Sequence, residues 1–293
     1  MADKLDLTVI IAARNEAANL AACLDSLSPA ARVVVVDSQS QDGTADIASA
    51  RGAEVVPFRW NGRYPRKRQW ALDHLSIDTG WVALLDADES IPPALWDEIR
   101  AVLESPSALP AYLVKKQFHF MGRCLRFGGF SHSAVFLFRT GSARFENLLP
   151  DVGENLDMEV HERLIVDGAV GHLKHPLEHR DAKGLAAYVD RHNAYSTWEA
   201  EIRFRFLTTG RYGEESIRPD WRGNAQERRR FRKRLALRLP GEAWAWFLYH
   251  YLLRGAFLEG KRGLVASQIR RAYIEQVRAK VYEKIRAARR PIP

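Results

Sequence analysis

The segment Trp81-Val-Ala-Leu-Leu-Asp-Ala-Asp-Glu89 decides the fold of this chain. Its five leading apolar residues form a short run with polar boundaries, which predicts a strand buried on both faces of a parallel sheet. Open α/β sheets bind ligands just beyond the carboxyl ends of their strands. Asp86 and Asp88 stand at that point, and carboxylate oxygens suit Mg²⁺ or Mn²⁺. We therefore expect a metal-bound nucleoside diphosphate here; the alternative is that these carboxylates only shape a turn before the next helix.

The first part of the chain alternates predicted strands with predicted helices. The strands are predicted at residues 7–12, 32–37, 54–58 and 81–85. The helices are predicted at residues 16–27, 43–50, 65–75 and in a stretch that ends near 104. Because this alternation indicates βαβ units, we expect an α/β fold with a mostly parallel, Rossmann-like sheet flanked by helices.

The rest of the chain has a different pattern. Strand-like stretches are predicted at residues 111–120, 133–138, 160–166 and 170–175, with a polar loop at 147–159. From about residue 183 the pattern is helical to the end. We therefore predict a catalytic domain over residues 1–185 and a helical, basic extension over residues 186–293.

Composition and charge narrow the class of protein. The chain has 293 residues and 46% hydrophobic content, which suits a globular protein with a sizeable core. Cys23 and Cys124 lie far apart and suggest neither a disulfide framework nor a zinc site. The chain opens with a strand and without an apolar leader, so we expect no signal peptide and a reducing, cytoplasmic setting.

The charge is distributed unevenly. Residues 1–200 contain 21 Lys+Arg and 27 Asp+Glu, a net charge of −6, whereas residues 201–293 contain 23 and 9, a net charge of +14. Such asymmetry indicates nucleic acid or an anionic membrane as a partner. The aromatic stretch at 239–254 is interrupted by charges and too short to span a bilayer. Its aromatic and basic residues suit a membrane surface, and the alternative is a helix pair that covers the catalytic sheet.

Four polar segments are expected at one edge of the sheet, because the carboxyl ends of parallel strands meet there. They are residues 12–16, 36–44, 66–68 and 86–88. This ordered set resembles the family 2 glycosyltransferases of the GT-A fold, through Asn15-Glu16, Asp37-x4-Asp42-Gly43-Thr44 and Asp86-x-Asp88. The resemblance covers about residues 5–180.

A narrower resemblance is to the bacterial lipopolysaccharide-core β-1,4-glucosyltransferases. The stretches that carry it are Lys67-Arg-Gln-Trp-Ala-Leu72, Val160-His-Glu162, Arg191-His-Asn-Ala-Tyr-Ser-Thr-Trp-Glu-Ala200 and Tyr251-Leu-Leu-Arg-Gly-Ala-Phe-Leu-Glu-Gly260. The resemblance implies an inverting transfer of a hexose, with glucose as the first candidate, from a UDP-sugar to a lipid-linked saccharide such as the lipopolysaccharide inner core. It further implies a divalent metal and a peripheral position at the cytoplasmic face of the bacterial inner membrane.

The resemblance also assigns roles to residues. The metal ligand would be Asp88, and the residues that bind the donor nucleotide would be Ala13, Asn15, Glu16, Asp37, Lys67, Arg68 and Asp86. Some of these have a structural alternative: a strand-end turn for Asp37, the first helical turn for Glu16, and a solvated basic face for Lys67 and Arg68. Asp42 is expected to shape its loop and cap the following helix.

An inverting transfer needs a general base that takes the proton of the acceptor hydroxyl. Glu162 is the candidate and Glu159 the runner-up, although the family usually has adjacent acidic residues ending in Asp where this chain has His161-Glu162. Glu162 has a structural alternative, a surface carboxylate on a strand. His179 is a candidate third metal ligand, with a purely structural histidine as the alternative.

Other functions remain open from the sequence. Within the same enzyme class, the acceptor alternative is an undecaprenyl-linked or capsular glycan. A different class is a nucleic-acid-binding protein that uses the arginine-rich residues 228–238, although no nucleic-acid-binding motif is recognised. A nucleotide-transferring relative would carry a glycine-rich loop after the first strand, and Arg14-Asn-Glu-Ala is not one.

Overall fold

The computed structural model describes residues 4–148, 157, 159, 162–210, 219–223, 225–236 and 241–289. Most of the predicted loop at 147–159 and His161 lie outside these residues. The chain divides into two compact units. The first comprises residues 1–126, 130–145 and 151–184, and the second comprises residues 127–129, 146–150 and 185–293.

The first unit is built on a mixed sheet. The strands are β1 (Leu5–Ala13), β2 (Ala30–Asp37), β3 (Glu54–Pro57), β4 (Trp81–Asp86), β5 (Glu89–Ser90), β6 (Ala111–Phe120), β7 (Arg123–Cys124), β8 (His132–Arg139), β9 (Ala143–Phe145), β10 (Leu164–Val166), β11 (Val170–His172) and β12 (Leu177–His179). In the described part of the chain, ten of them form one sheet in the order β3-β2-β1-β4-β8-β6-β12-β5, with β7 and β11 also paired to β6. Strands β9 and β10 form a separate antiparallel pair.

The parallel half of the sheet agrees with the prediction. Strands β1, β2, β3 and β4 pair in parallel, and every residue from Trp81 to Leu85 is buried. The other half differs, because β8 runs antiparallel between β4 and β6. The short strands β5 and β12 then pair antiparallel at the far edge. The result is the mostly parallel, mixed sheet of a GT-A α/β fold.

Helices cover both faces of this sheet. They are α1 (Ala17–Asp25), α2 (Thr44–Ala50), α3 (Lys67–His74) and α4 (Pro93–Glu104). Alternate residues of the central strands point to opposite faces: Ile11 packs in the core that contains α1, α2 and α4, and Ile10 in the core that contains α3. Because both strand faces are buried, their sequences are continuous apolar runs.

The second unit is helical. It contains α5 (Gly184–Thr209), α6 (Ala225–Ala236), α7 (Glu242–Leu248), a π-helical turn (Tyr249–Leu253), a 3₁₀ turn (Ala256–Glu259) and α8 (Gly260–Ala288). Its core joins α5, α7 and α8 through Ala200, Ala243, Tyr273, Ile274, Val277 and Val281. Residues 219–223 are not helical, so the prediction that the chain is helical from about residue 183 to the end was wrong there. Among the described helices, none is both long and apolar enough to cross a bilayer.

Candidate active site

Strands β1, β2 and β4 of the parallel half end at one level. Ala13 at the end of β1 lies opposite Asp37 of β2, and Ala12 lies opposite Asp86 of β4. Asp37 and Asp86 therefore stand on either side of β1 at what we call the carboxyl edge of the sheet. The predicted meeting of these segments is observed, whereas their contacts with a donor stay predictions.

Asp37 organises the loop after β2. Its two carboxylate oxygens accept hydrogen bonds from the backbone N–H of Ser40 at 3.0 Å and from its hydroxyl at 2.5 Å. The Ser40 hydroxyl oxygen accepts the N–H of Asn15 at 2.8 Å, and Asn15 Oδ1 accepts the N–H of Gln41 at 2.9 Å. Asn15 has a left-handed φ of 53°, a conformation that asparagine tolerates better than most residues. The loops after β1 and β2 are thus held together.

Asp42 serves two helices with one carboxylate, which confirms its predicted capping role. Its Oδ2 accepts the N–H of Ala17 at 3.0 Å, in the first turn of α1, and its Oδ1 accepts the N–H of Thr44 at 3.1 Å, in the first turn of α2. Partial burial acts to raise the pKa of Asp42, but these bonds and the Thr44 hydroxyl lower it overall. The carboxylate therefore remains ionised where two helix N-termini need an acceptor.

Glu16 faces a cation that the sequence did not identify. Its carboxylate accepts hydrogen bonds from Asn19 Nδ2 at 2.8 Å and from Lys183 Nζ at 2.5 Å. Burial raises the pKa of Glu16, although both partners oppose that shift. Asp181 bonds Asn19 in turn, which ties the segment before α5 to the start of α1. Lys183 thereby becomes a cation at the carboxyl edge.

Asp86 lies between two cations. It pairs with Arg68 of α3 and with Lys116 of β6, whose Nζ is 2.9 Å from Asp86 Oδ2. The same Nζ is 2.7 Å from Oε1 of the fully buried Glu89, and Glu89 Oε2 accepts the N–H of Asp86 at 3.0 Å. Burial favours the neutral acid, yet Arg68 and Lys116 lower the pKa of Asp86 well below its usual range. Burial raises the pKa of Glu89 despite Lys116.

Asp88 faces an imidazole. Strand β12 pairs His179 with Glu89 of β5, and this register places His179 Nε2 3.2 Å from Asp88 Oδ2. Burial alone lowers the pKa of His179, but the hydrogen bond to Asp88 and the charges of Asp88, Glu89 and Asp86 raise it to about 9. Without a metal, the histidine therefore carries a proton that compensates the surrounding carboxylates.

The donor set fits a hard divalent cation only in part. Within the described ranges, no group of three or more His, Cys, Asp or Glu side chains is arranged to hold a metal. Asp88 and His179 nevertheless bring an oxygen and a nitrogen donor together, and Asp86 lies two residues away. Mg²⁺ sites commonly use one or two protein carboxylates and complete their shell with substrate phosphates. The residues fit a metal that arrives with a diphosphate.

Lys67 is buried beneath the carboxyl edge rather than exposed at it. Its Nζ donates to the carbonyl oxygen of Ala13 at 2.8 Å and lies 3.2 Å from Asp157 Oδ2. Burial lowers the pKa of Lys67, although Asp157 opposes the shift. In this arrangement Lys67 positions the end of β1, and a direct donor contact stays a prediction.

The two candidate bases have different surroundings. Glu159 caps α3, because its carboxylate accepts the N–H of Arg68 at 3.1 Å and of Gln69 at 3.0 Å. Burial raises the pKa of Glu159 despite these bonds. Glu162 Oε1 is 3.0 Å from Arg66 Nη1, and both side chains are only 3% exposed. Glu159 thus caps the N-terminus of α3, and Glu162 forms an ion pair with Arg66.

Three residues of this site are not among the residues predicted from the sequence. Lys116 lies inside strand β6, and the residues two positions away on the same strand face, Val114 and Phe118, are apolar, which signals a buried acidic partner. Lys183 and Asp157 stand in irregular segments without a local pattern, so no signal distinguished them. A pocket of about 390 Å³ lies elsewhere, along α3, β4, β8 and β9, and contains none of the predicted site residues.

Comparison with known proteins finds glycosyltransferases. Residues 8–126 match the model of glycosyl transferase family 2. A lipopolysaccharide core biosynthesis glycosyltransferase of Rhizobium meliloti is 27% identical over 303 residues, which cover 99% of this chain and 97% of that protein. An uncharacterized glycosyltransferase of Rickettsia felis is 35% identical over 100 residues, and the match spans only 34% of either protein.

Solved structures show weaker likeness. Glucosyl-3-phosphoglycerate synthase from Mycobacterium tuberculosis, bound to Mn²⁺, UDP and glucosyl-3-phosphoglycerate, has 26% identity and a TM-score of 0.30. That match covers 41% of this chain and 46% of the synthase. A mannosyltransferase from Pyrobaculum calidifontis, bound to GDP-mannose and Mn²⁺, has 16% identity and a TM-score of 0.49 over 96% of this chain and 88% of its own.

The sequence motifs, the sheet and the family match over residues 8–126 all agree. Residues 8–126 thus match glycosyl transferase family 2, and the chain along its whole length is similar to a lipopolysaccharide core biosynthesis glycosyltransferase.

Proposed function

We propose that this protein is a metal-dependent, inverting glycosyltransferase that moves a hexose, with glucose as the first candidate, from a UDP-sugar to a lipid-linked saccharide. The observation that carries the proposal is that Asp37 and Asp86 end the strands on either side of β1, with Asp88 two residues beyond Asp86. The full-length likeness to a lipopolysaccharide core biosynthesis glycosyltransferase supports the lipopolysaccharide inner core as the acceptor.

The donor nucleotide would lie across the carboxyl edge. Asp37, in the loop hydrogen-bonded to Asn15, would accept hydrogen bonds from the uracil or ribose. Ala13 and Glu16 border the same loop, because the Ala13 carbonyl accepts the N–H of Ser38 and the Glu16 N–H donates to the Thr44 hydroxyl. Arg68 now neutralises Asp86, and it would turn to the diphosphate, since guanidinium groups bind phosphate in bidentate fashion. Lys67 would contribute indirectly, because its hydrogen bond to the Ala13 carbonyl positions the end of β1.

The metal would be held by Asp88 together with His179. When bound, Mg²⁺ or Mn²⁺ supplies a Lewis acid for the leaving diphosphate. His179 must give up its proton to become a ligand, and Asp88 already orients its Nε2. Asp86 would stay with Lys116 when Arg68 turns to the diphosphate, and would contact the ribose or a water.

Glu162 is the proposed general base. Glu159 bonds two backbone N–H groups of α3, so it is poorly placed to exchange a proton with a substrate. Glu162 would exchange Arg66 for the acceptor hydroxyl when the acceptor binds. Glu162→Gln is expected to keep UDP binding and to lose transfer by at least about a hundredfold. Transfer near the wild-type rate by this variant would move the base to another residue.

The proposed acceptor places the reaction at the cytoplasmic face of the bacterial inner membrane, with the protein as a peripheral partner of an anionic surface. An undecaprenyl-linked or capsular glycan remains the acceptor alternative. The rival function, nucleic-acid binding through α6, predicts RNA or DNA affinity that falls steeply with salt. Nucleic-acid binding would not explain why Asp37, Asp86 and Asp88 lie together at the carboxyl edge.

Thermal unfolding with UDP, with and without Mn²⁺, tests the proposal, and ADP and GDP serve as comparisons. A ligand that binds only the folded protein stabilises it by about 2.7 kcal/mol at a hundred times its dissociation constant. We expect a rise specific to UDP plus metal that Asp88→Asn removes and that the exposed control Asp97→Asn keeps. An equal rise in Asp88→Asn would exclude the metal role of Asp88, and no rise with any nucleotide would contradict the proposed donor site.

A further inference from the structure

The second unit exposes a row of large apolar side chains between residues 244 and 258. We call this row the apolar ridge. Each of its members is between 47% and 79% exposed, and Leu253 is the most exposed. The members are Trp244, Leu248, Tyr249, Leu252, Leu253, Phe257 and Leu258. Contiguous exposed apolar surface of this kind marks an interaction site, because single exposed residues would need no explanation.

The helix geometry explains why these side chains face outward. Trp244, Leu248 and Leu252 follow one another at a spacing of four residues, which places them on one side of α7 and the π-helical turn. Ala243 belongs to the core with α5 and α8, and therefore marks the opposite, buried side. The ridge is thus the face that the second unit leaves uncovered after its own core is complete.

Hydrogen bonds connect the ridge to the segment before strand β8. Residues 127–129 brace it, because the N–H of Phe127 donates to Glu259 Oε1 and the N–H of Gly128 donates to the carbonyl of Arg254, both at 2.8 Å. A methyl group built on Gly255 would lie 3.3 Å from Leu258 and 3.7 Å from Phe127. Phe127 is itself 46% exposed, so it extends the ridge beside Leu258.

The exposed charges that residues 241–271 present beside the ridge have one sign. Arg254 and Lys261 are exposed beside it, and the guanidinium of Arg271 lies 4.0 Å from the ring centre of Trp244. Residues 241–271 contain two acidic residues, and both are engaged inside the unit: Glu242 pairs with Arg203, and Glu259 bonds Phe127. The surface therefore combines apolar side chains with a cationic border and presents no exposed carboxylate from this stretch.

We propose that the apolar ridge inserts into the headgroup region of an anionic lipid bilayer, with Arg254 and Lys261 against lipid phosphates. Leucine and aromatic side chains with a basic border are the composition of helices that lie in a membrane surface. A second copy of this chain fits less well, because an isologous contact would bring two cationic borders together. This inference rests on the proposed function in one respect: the lipid-linked acceptor is the reason for the protein to bind a membrane.

Flotation with lipid vesicles tests the ridge on the full chain. Phosphatidylcholine vesicles are compared with vesicles in which about one third of the lipid is phosphatidylglycerol. We expect the wild type to bind the anionic vesicles, and Leu252→Ser combined with Leu253→Ser to weaken binding about tenfold or more. Tyr282→Ser removes an equally exposed apolar side chain of α8, 63% exposed, and should bind as the wild type does.

A charge variant separates the two parts of the surface. Lys261→Glu should weaken binding to anionic vesicles about tenfold and leave the weak binding to phosphatidylcholine unchanged. Equal binding by the double leucine variant and Tyr282→Ser would overturn the proposal. So would a wild type that ignores vesicles, or one that forms a dimer through the leucines in sedimentation without binding lipid.

UDP-dependent stabilisation measured on the same variants keeps this inference apart from the proposed function. The leucine variant should lose vesicle binding and retain the response to UDP plus Mn²⁺, which also shows that it is folded. A wild type that binds vesicles but no nucleotide would refute the donor site and leave the membrane surface standing.

Discussion

Replacing Lys116 by methionine tests how the carboxylates of the carboxyl edge are held. Lys116 Nζ lies 2.7 Å from Glu89 Oε1 and 2.9 Å from Asp86 Oδ2. Methionine keeps much of the apolar stem and removes the charge. Glu89, with no exposed side-chain surface, then loses its close cation, because His179 Nδ1 is 3.8 Å away. Asp86 is 27% exposed and still has Arg68.

The size of the effect follows from this difference in burial. Removing one partner of a buried ion pair costs about 3–5 kcal/mol, because the remaining charge is uncompensated. Glu89 carries most of that cost, since Asp86 keeps both a cation and contact with water. Adding Glu89→Gln removes the buried charge, so the double variant should return to within about 2 kcal/mol of the wild type.

Urea unfolding followed by circular dichroism measures the stability, and UDP binding with Mn²⁺ measures the site. The free energy of unfolding should fall in Lys116→Met and recover in the double variant with Glu89→Gln. The affinity for UDP should be lower than that of the wild type in both variants, because Asp86 has lost Lys116 in each of them. If the double variant is as unstable as the single one, the buried charge of Glu89 is not the reason that Lys116 is needed.

Three further predictions concern other parts of the chain. Burial raises the pKa of the Cys23 thiol well above its usual value, so iodoacetamide at pH 8.5 should modify Cys124 first and Cys23 only on unfolding, as peptide mass spectrometry would show. Arg203→Met should destabilise the second unit by about 3–5 kcal/mol in urea unfolding, because it removes the cation that pairs with the buried Glu199 and one of the two cations that pair with Glu242. Tyr273→Phe should destabilise it by about 1.5–3 kcal/mol, because it removes one hydrogen bond to the Glu199 carboxylate. Gly43→Ala has open space but a φ of 84°, so it should lower the melting temperature through backbone strain of about 1 kcal/mol.

The central strands could be predicted closely because their signal is local. The predicted strand at residues 32–37 is observed as Ala30–Asp37, and the one at 81–85 as Trp81–Asp86. A strand buried on both faces is a continuous apolar run, which needs no knowledge of its neighbours. Strand β12, with three residues, has no such run and exists only through its pairing with β5 and β6.

The residues of the candidate site also fall into two groups: those that a local sequence pattern predicts and those that depend on distant segments. Asp37 and Asp86 were predicted from strand ends, and the structure places both at the carboxyl edge. The pairing of Lys116 with Asp86 depends on strand β8 entering between β4 and β6, which no short sequence pattern expresses. The burial of Lys67 depends likewise on Asp157, a residue ninety positions away. Interactions between distant segments are decided by the completed sheet.

The position of β8 also bears on how the protein can be synthesised and divided. Strand β8 lies between β4 and β6, although it follows both in the chain, and it lies beyond residue 126, where the family match ends. During translation, β4 and β6 leave the ribosome before the strand that joins them, so neither can complete its pairing until residue 139 has emerged. A fragment cut at the end of the family match would present two unpaired strand edges and aggregate. Gene fusions and truncations must therefore keep at least the chain through β12.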